Sequence, residues 1–241
     1  MRRATYALCL TFLAAAVMPA ATAAAGIHQP AGGHQKVTAT IPVCFHPIGV
    51  AVNPAADRIY VACFGDGTFA AINGQTNKVI ATHRLGASLW AVAVNPRTGL
   101  VYVTNPAQQQ VLVINGQTNK VSAKITVPFP PAGIAVNPRT DKVYVGRFRG
   151  HDVAVIDGKT NTVTANFTVP SPFGIAVNPG TDTVYVDSFM RARLVVADGT
   201  TNTVTKTVPV GSLPSGVAVN PQDGLVYVTN QGDSTVSVVG P

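Results

Sequence analysis

The sequence predicts an all-β chain, a five-bladed β-propeller of four-stranded antiparallel blades, and three observations carry that prediction. A Val-Asn-Pro phrase recurs five times, its asparagines at Asn53, Asn95, Asn137, Asn178 and Asn220, spaced by 42, 42, 41 and 42 residues. A Tyr-Val pair follows each phrase, with tyrosines Tyr60, Tyr102, Tyr144, Tyr185 and Tyr227 on the same spacing. Each period also holds four short runs rich in valine, isoleucine and threonine, separated by turn residues. Self-similarity of this length, with four strands per unit, is the signature of propeller blades.

The elements follow in chain order. Arg2 and Arg3, the apolar run from Ala7 to Met18, and the small residues from Pro19 to Ala25 have the order of a secretory signal peptide. Residues 1–25 are therefore expected to be removed and 26–35 to form a flexible link. Removing Arg2 and Arg3 from seventeen Lys and Arg leaves fifteen against ten aspartates, a mildly basic charge of +5. That balance permits attraction to anionic polymers without demanding it. The protein is expected to be secreted or at the surface of a bacterium, and a monomer.

The blades are expected at 48–85, 90–127, 132–169, 173–210 and 215–239, the last completed by residues 36–43. In the second unit the turn Asn95-Pro96-Arg97-Thr98-Gly99 reads as a tight reversal, and Asn115-Gly116 is a strong hairpin signal. Along each first strand, small residues such as Gly49 and Ala51 alternate with Val50 and Val52, which places the two sets on opposite faces. A small face against a β-branched face suits sheets that crowd together at an axis. The chain ends on a third strand, Thr235 to Val239, while Lys36 to Val43 matches the fourth strands beginning at Lys78 and Lys120. The N-terminal strand is therefore expected to close the ring by completing the C-terminal blade, three strands plus one, which also hides two sheet edges.

In Tyr102-Val103-Thr104-Asn105 and Tyr227-Val228-Thr229-Asn230, the chain resembles the YVTN β-propeller repeat family, and the likeness runs over residues 36–241. That family includes exported and surface-layer proteins and is similar to lactonase-like propellers. The resemblance implies an exported binding or scaffold module, with a lactonase- or lyase-like hydrolase at the channel mouth as the alternative. Three units depart from Thr-Asn, reading Ala62-Cys63, Gly146-Arg147 and Asp187-Ser188.

Comparing the units separates fold from candidate function. First-to-second and third-to-fourth turns share one face and are monotonous; second-to-third loops and inter-blade connections share the other and vary. Divergent loops on a fixed scaffold are free to recognise something. On that variable face the sequence groups Arg147, Phe148, Arg149, His151, Phe189, Arg191 and Arg193, with Trp90 and Phe173 near the channel mouth. Guanidinium groups with interleaved rings suit an anionic or glycan-like polymer, another cell-envelope component or a protein. Nucleic acid is not expected for an exported chain of this charge. Cys44 and Cys63 are candidates for a disulfide in an oxidising compartment; a metal held by Cys44, His46 and Cys63, and two free thiols, are the other readings. The chain has no glutamate, no nucleophile elbow, no phosphate loop and no zinc-protease helix, so no catalytic residue and no cofactor is expected. Asp187 beside Asn105 and Asn230 is the sparse carboxylate set that the hydrolase alternative would use.

Overall fold

The structure, a computed structural model, describes residues 36–147 and 149–241. The expected leader, the 26–35 link and Phe148 lie outside the described residues. Among the described residues no helix is long and apolar enough to cross a membrane.

Five antiparallel sheets follow one another along the chain. The first blade is β1 (Pro47–Asn53), β2 (Arg58–Cys63), β3 (Thr68–Asn73) and β4 (Lys78–Arg84). The second is β5 (Val92–Asn95), β6 (Leu100–Asn105), β7 (Gln110–Asn115) and β8 (Lys120–Thr126). The third is β9 (Pro131–Asn137), β10 (Lys142–Arg147), β11 (Asp152–Asp157) and β12 (Thr162–Thr168). The fourth is β13 (Pro172–Asn178), β14 (Thr183–Ser188), β15 (Arg193–Asp198) and β16 (Thr203–Pro209). The fifth has three strands, β17 (Pro214–Val219), β18 (Val226–Asn230) and β19 (Thr235–Val239).

The repeated residues explain the repeated geometry. In all five Asn-Pro turns the asparagine Oδ1 accepts the N–H two residues on, at 2.9–3.1 Å, from Ala55, Arg97, Arg139, Gly180 and Gln222. This side-chain mimic of a turn is why asparagine precedes each proline. The two turns of one blade then bond to each other, as where Gly74 N–H donates to the Asp57 carbonyl at 2.8 Å and Gly116 N–H to Gly99 at 3.0 Å. The uniform face is therefore a hydrogen-bonded framework.

Neighbouring blades meet closely through the small face of each first strand. A Cβ added at Gly133 would stand 1.9 Å from the Phe173 carbonyl oxygen, and one at Gly49 3.0 Å from that of Trp90. Only glycine admits such an approach. The tyrosines fill the space further out: Tyr60, Tyr102 and Tyr144 are fully buried. The Tyr60 hydroxyl donates to Gly116 O at 3.2 Å and the Tyr144 hydroxyl to Gly199 O at 3.4 Å, each in the next blade. Asn95 Nδ2 likewise donates to Asp141 of the next blade at 2.6 Å, and Asn137 Nδ2 to Asp182 at 2.5 Å.

The expected pairing of residues 36–43 with the last blade is not made. That segment carries no strand, and the fifth sheet stays three-stranded. Its apolar residues Ile41 and Val43 pack with Cys44 against Val61, Cys63, Ala70 and Ile72 of the first blade instead. The physical reason is local: Cys44 is bonded to Cys63 at the end of β2, which anchors the segment beside that apolar face. One seam between blades is left uncovered. Val236 and Val238 on β19 are 56% and 57% exposed and Tyr227 40%, whereas Val111 and Val113, their counterparts in the second blade, are fully buried. Across the seam, Val50 and Val52 of β1 are also exposed.

Candidate functional site

The first strands of all five blades line one central cavity of about 110 Å³. Its walls are backbone, glycine, alanine, valine and isoleucine, with Pro96, Phe173 and Ser215; Ser215 supplies the one side-chain hydroxyl among the lining residues. These walls carry no carboxylate, imidazole or amide side chain with which to activate water.

The hydrolase alternative fares poorly on the same geometry. Asp187 is wholly buried. Its Oδ2 accepts the Gly174 N–H at 3.0 Å, its Oδ1 has no partner, and burial pushes its carboxyl well above the usual range. Asn105 donates to the Leu85 carbonyl at 3.3 Å and to Gln108 at 3.0 Å; Asn230 donates to Thr235 and Ser237. Both asparagines lie against connector glycines, Gly86 and Gly211, where a Cβ would collide with them. They hold inter-blade connections in place, and with Asp187 buried the three present no exposed carboxylate to a substrate.

Across the variable end of the cavity runs a row of aromatic rings from three blades. Phe64 meets Trp90 edge-on with centroids 5.4 Å apart, Trp90 meets Phe173 edge-on at 6.5 Å, and Phe173 lies tilted against Phe189 at 5.6 Å. Edge-to-face contacts at these separations are the favourable arrangement for ring quadrupoles. Phe173 is 1% exposed, so it is the floor of this row and not a contact surface; Trp90 and Phe189 are half-buried and Phe64 is exposed. The sequence grouped Trp90, Phe173 and Phe189, and the structure joins them. It missed Phe64, although a signal was there: the residue after each Thr-Asn position is Phe64, Phe148 and Phe189 in the three departing units, but Pro106 and Gln231 in the other two.

Three strained connections hold the loops of this face. His46, Ser171 and Leu213 have φ of 53°, 52° and 49°, in the left-handed region, each just before a proline. Their carbonyls accept N–H groups from the second-to-third loops, Phe64 to His46 at 2.9 Å, Phe189 to Ser171 at 3.0 Å and Gln231 to Leu213 at 3.0 Å. Strained backbone of this kind persists where the surroundings over-determine it.

The basic residues divide. Arg147 is committed within the protein: its Nη1 pairs with Asp152 at 3.2 Å and its guanidinium lies over the buried Phe129 ring at 5.9 Å. Arg149, His151, Arg191 and Arg193 are exposed. Among the described residues no carboxylate lies within ion-pair distance of Arg191 or Arg193.

Cys44 and Cys63 form a disulfide with Cα atoms 6.2 Å apart. The two sulfurs bond each other, which leaves no thiolate pair to join His46, whose ring stacks on Phe45 at 4.0 Å. Among the described residues no group of three His, Cys, Asp or Glu is disposed to hold a metal ion. A loop of 19 residues closed this way is worth about 3 kcal/mol in the chain-entropy model. Replacing both cysteines by serine is expected to lower unfolding free energy by about that amount. Reduction should add two hydrogens to the mass of the untreated protein; an unchanged mass would remove the bridge.

Comparison with known proteins bears on the fold. No family model matches the chain. The propeller domain of Myceliophthora thermophila Cps50 (Swd1) superposes with a TM-score of 0.72 at 16% identity, covering 84% of this chain and 67% of that one. A functionally unknown protein from Desulfotomaculum acetoxidans DSM 771 gives 0.70 at 19% identity, over 83% and 70% of the two chains. The fold is a β-propeller. A short stretch of 32 residues is 66% identical to PE-PGRS family protein PE_PGRS18 of Mycobacterium tuberculosis (strain ATCC 25618 / H37Rv). That match covers 13% of this propeller chain and 7% of the mycobacterial protein.

Proposed function

We propose that this propeller is an exported or cell-surface module of YVTN-type repeats that binds a protein or cell-envelope polymer through its variable face. The observation that carries this reading is the row of rings over the cavity mouth, set among exposed arginines on the face whose loops differ between blades. The opposite face repeats the same turns and spends its side chains on its own framework.

The reading includes a closed five-bladed ring, in which Lys36–Val43 would leave the face of the first blade and complete the fifth. Contacts that the first three blades make with their successors support it. Asp57 stands where Asp141 and Asp182 receive the asparagine of the preceding blade, while Asn220 of the fifth blade turns to its own Asp223 at 2.8 Å. Closure would bring Asn220 to Asp57 and the Tyr227 hydroxyl to Gly74, the counterpart of Gly116 and Gly199.

Retention on isolated cell-envelope material tests the function. Arg149→Glu with Arg191→Glu is expected to lose retention several-fold, since rim charges steer and hold an anionic partner. Arg97→Glu with Lys159→Glu, the same charge change on exposed residues of the uniform face, should leave it unaltered. Equal loss from both pairs would reduce the attraction to bulk charge and sink the assignment of a binding face.

A further inference from the structure

Resting on the variable face as a binding surface, we infer that its partner is an acidic segment of another protein that seats apolar side chains on the ring row. Among the described residues, the exposed large apolar side chains fall largely into two groups. One belongs to the seam. The other is on the variable face: Phe45 and Leu213 in the connections into the first and fifth blades, Phe64 and Met190 in the second-to-third loops of the first and fourth.

Their chemistry selects among occupants. A sugar is recognised by a flat exposed ring face together with polar side chains that bond its hydroxyls. Here the deepest ring, Phe173, is covered, the exposed Phe45 ring has one face stacked on His46, and the most exposed apolar side chain among the described residues of this face is Met190, at 64%. A thioether and a leucine offer a sugar nothing, but they form adaptable surface for leucine, phenylalanine or methionine of a peptide. Bases would need open ring faces for stacking, and Phe64 and Phe173 instead contact Trp90 edge-on.

Charge supplies the second constraint. Every carboxylate of the variable face is already engaged inside the protein or buried. Asp66 accepts the N–H groups of Phe45 and Thr68 at 3.3 and 3.1 Å, and Asp233 that of Ser212 at 2.7 Å. Asp152 pairs with Arg147 and Asp187 is enclosed. The three ionised acids keep their charge but are held at their own loops, while Arg191 and Arg193 project without a carboxylate within ion-pair distance, on the blade that presents Met190 and Phe189. A basic rim around an apolar strip is complementary to a segment that alternates acidic and large apolar side chains. The left-handed residues His46, Ser171 and Leu213 keep the strip pre-formed, which lowers the ordering cost of docking.

Trp90 is the one tryptophan of the chain and sits in the middle of the row, so its emission reads the site directly. The probes are four tryptophan-free ligands. Two are twelve-residue peptides of glutamate with leucine and phenylalanine, and of lysine with the same apolar residues. The others are a glutamate–serine peptide and a polyuronate. The acidic–apolar peptide is expected to shift Trp90 emission saturably, and more weakly as salt is raised. Met190→Asp and Leu213→Asp, and separately Arg191→Glu with Arg193→Glu, should each weaken that response about tenfold; all four sites are exposed, so the variants keep the fold. An equal response to the lysine or serine peptide overturns the inference, as does a response indifferent to these variants. Polyuronate saturating the signal where the acidic–apolar peptide does not overturns the peptide and leaves the binding module standing. Silence from all four probes overturns the peptide, and retention on envelope material then decides the module separately.

Discussion

With the ring closed as proposed, Val238→Asp is expected to lower the stability of the folded chain by about 3 kcal/mol, a fall in Tm of roughly 10 °C for a domain of this size. The magnitude comes from its counterparts. Val113 and Val155 occupy the same position in the second and third blades and are fully buried between sheets. A carboxylate there must be either desolvated or neutralised. On an uncovered face, by contrast, the same change stays within about 0.5 kcal/mol, because Val238 is then a surface residue. Urea unfolding of the two proteins therefore reads out whether the seam closes. Val37→Asp gives a second, smaller signal: Val37 is exposed, whereas on β19 it would match the partly covered Val79 and Val121. Two neutral results would leave the fifth blade unpartnered and remove the ring.

Asp187→Asn is expected to raise stability at neutral pH by about 2 kcal/mol, and the gain should vanish in acid. In the second blade the equivalent Thr104 accepts the Ala91 N–H at 2.9 Å and donates its hydroxyl to the Ala132 carbonyl of the next blade at 3.0 Å. Asp187 reproduces the acceptor half, from Gly174, but its other oxygen is buried without a partner. Only the protonated acid can donate as threonine does. Burial raises the folded-state pKa of this carboxyl above that of the unfolded chain. Its contribution is therefore fully present below the ordinary carboxylate range and is lost as pH rises through the raised value. The loss proceeds at up to about 1.4 kcal/mol per pH unit across that window. Hydrogen bonds to backbone amides hold Asp66 and Asp198 below their usual range, which acts in the opposite sense at lower pH. Subtracting the Asp187→Asn curve from that of the parent removes their shared part. Parallel curves between pH 4 and pH 7 would show Asp187 ionised at no cost.

The blades were legible because their causes are local. Alternation of glycine or alanine with valine, an asparagine that closes its own turn, and a hairpin dipeptide each act within a few residues, and every unit states them again. The variable face was legible for the same reason, by subtraction of one repeat from another. What escaped depends on contacts between distant parts of the chain. The course of Lys36–Val43 is decided by Cys44 and a competing apolar face on β2, β3 and β4, which its likeness to Lys78 and Lys120 does not reveal. Arg147 looks like its basic neighbours until Phe129 and Asp152, from other elements, claim it. Trp90 and Phe173 were grouped by their shared place at the channel mouth, but that Phe64 extends their row depends on its edge-on contact with Trp90 of another blade.

The phenol groups of Tyr60 and Tyr144 both reach forward along the chain, never back, and the amides of Asn95 and Asn137 do the same. The array is thereby polar: each of the first three blades leans on its successor for an acceptor that it cannot supply itself. Traction applied at the C-terminus would strip the last unit first, and loss of the fourth would then orphan the donors of the third. Such a molecule should yield to force in instalments of one repeat, a staircase of about 42-residue releases in single-molecule stretching.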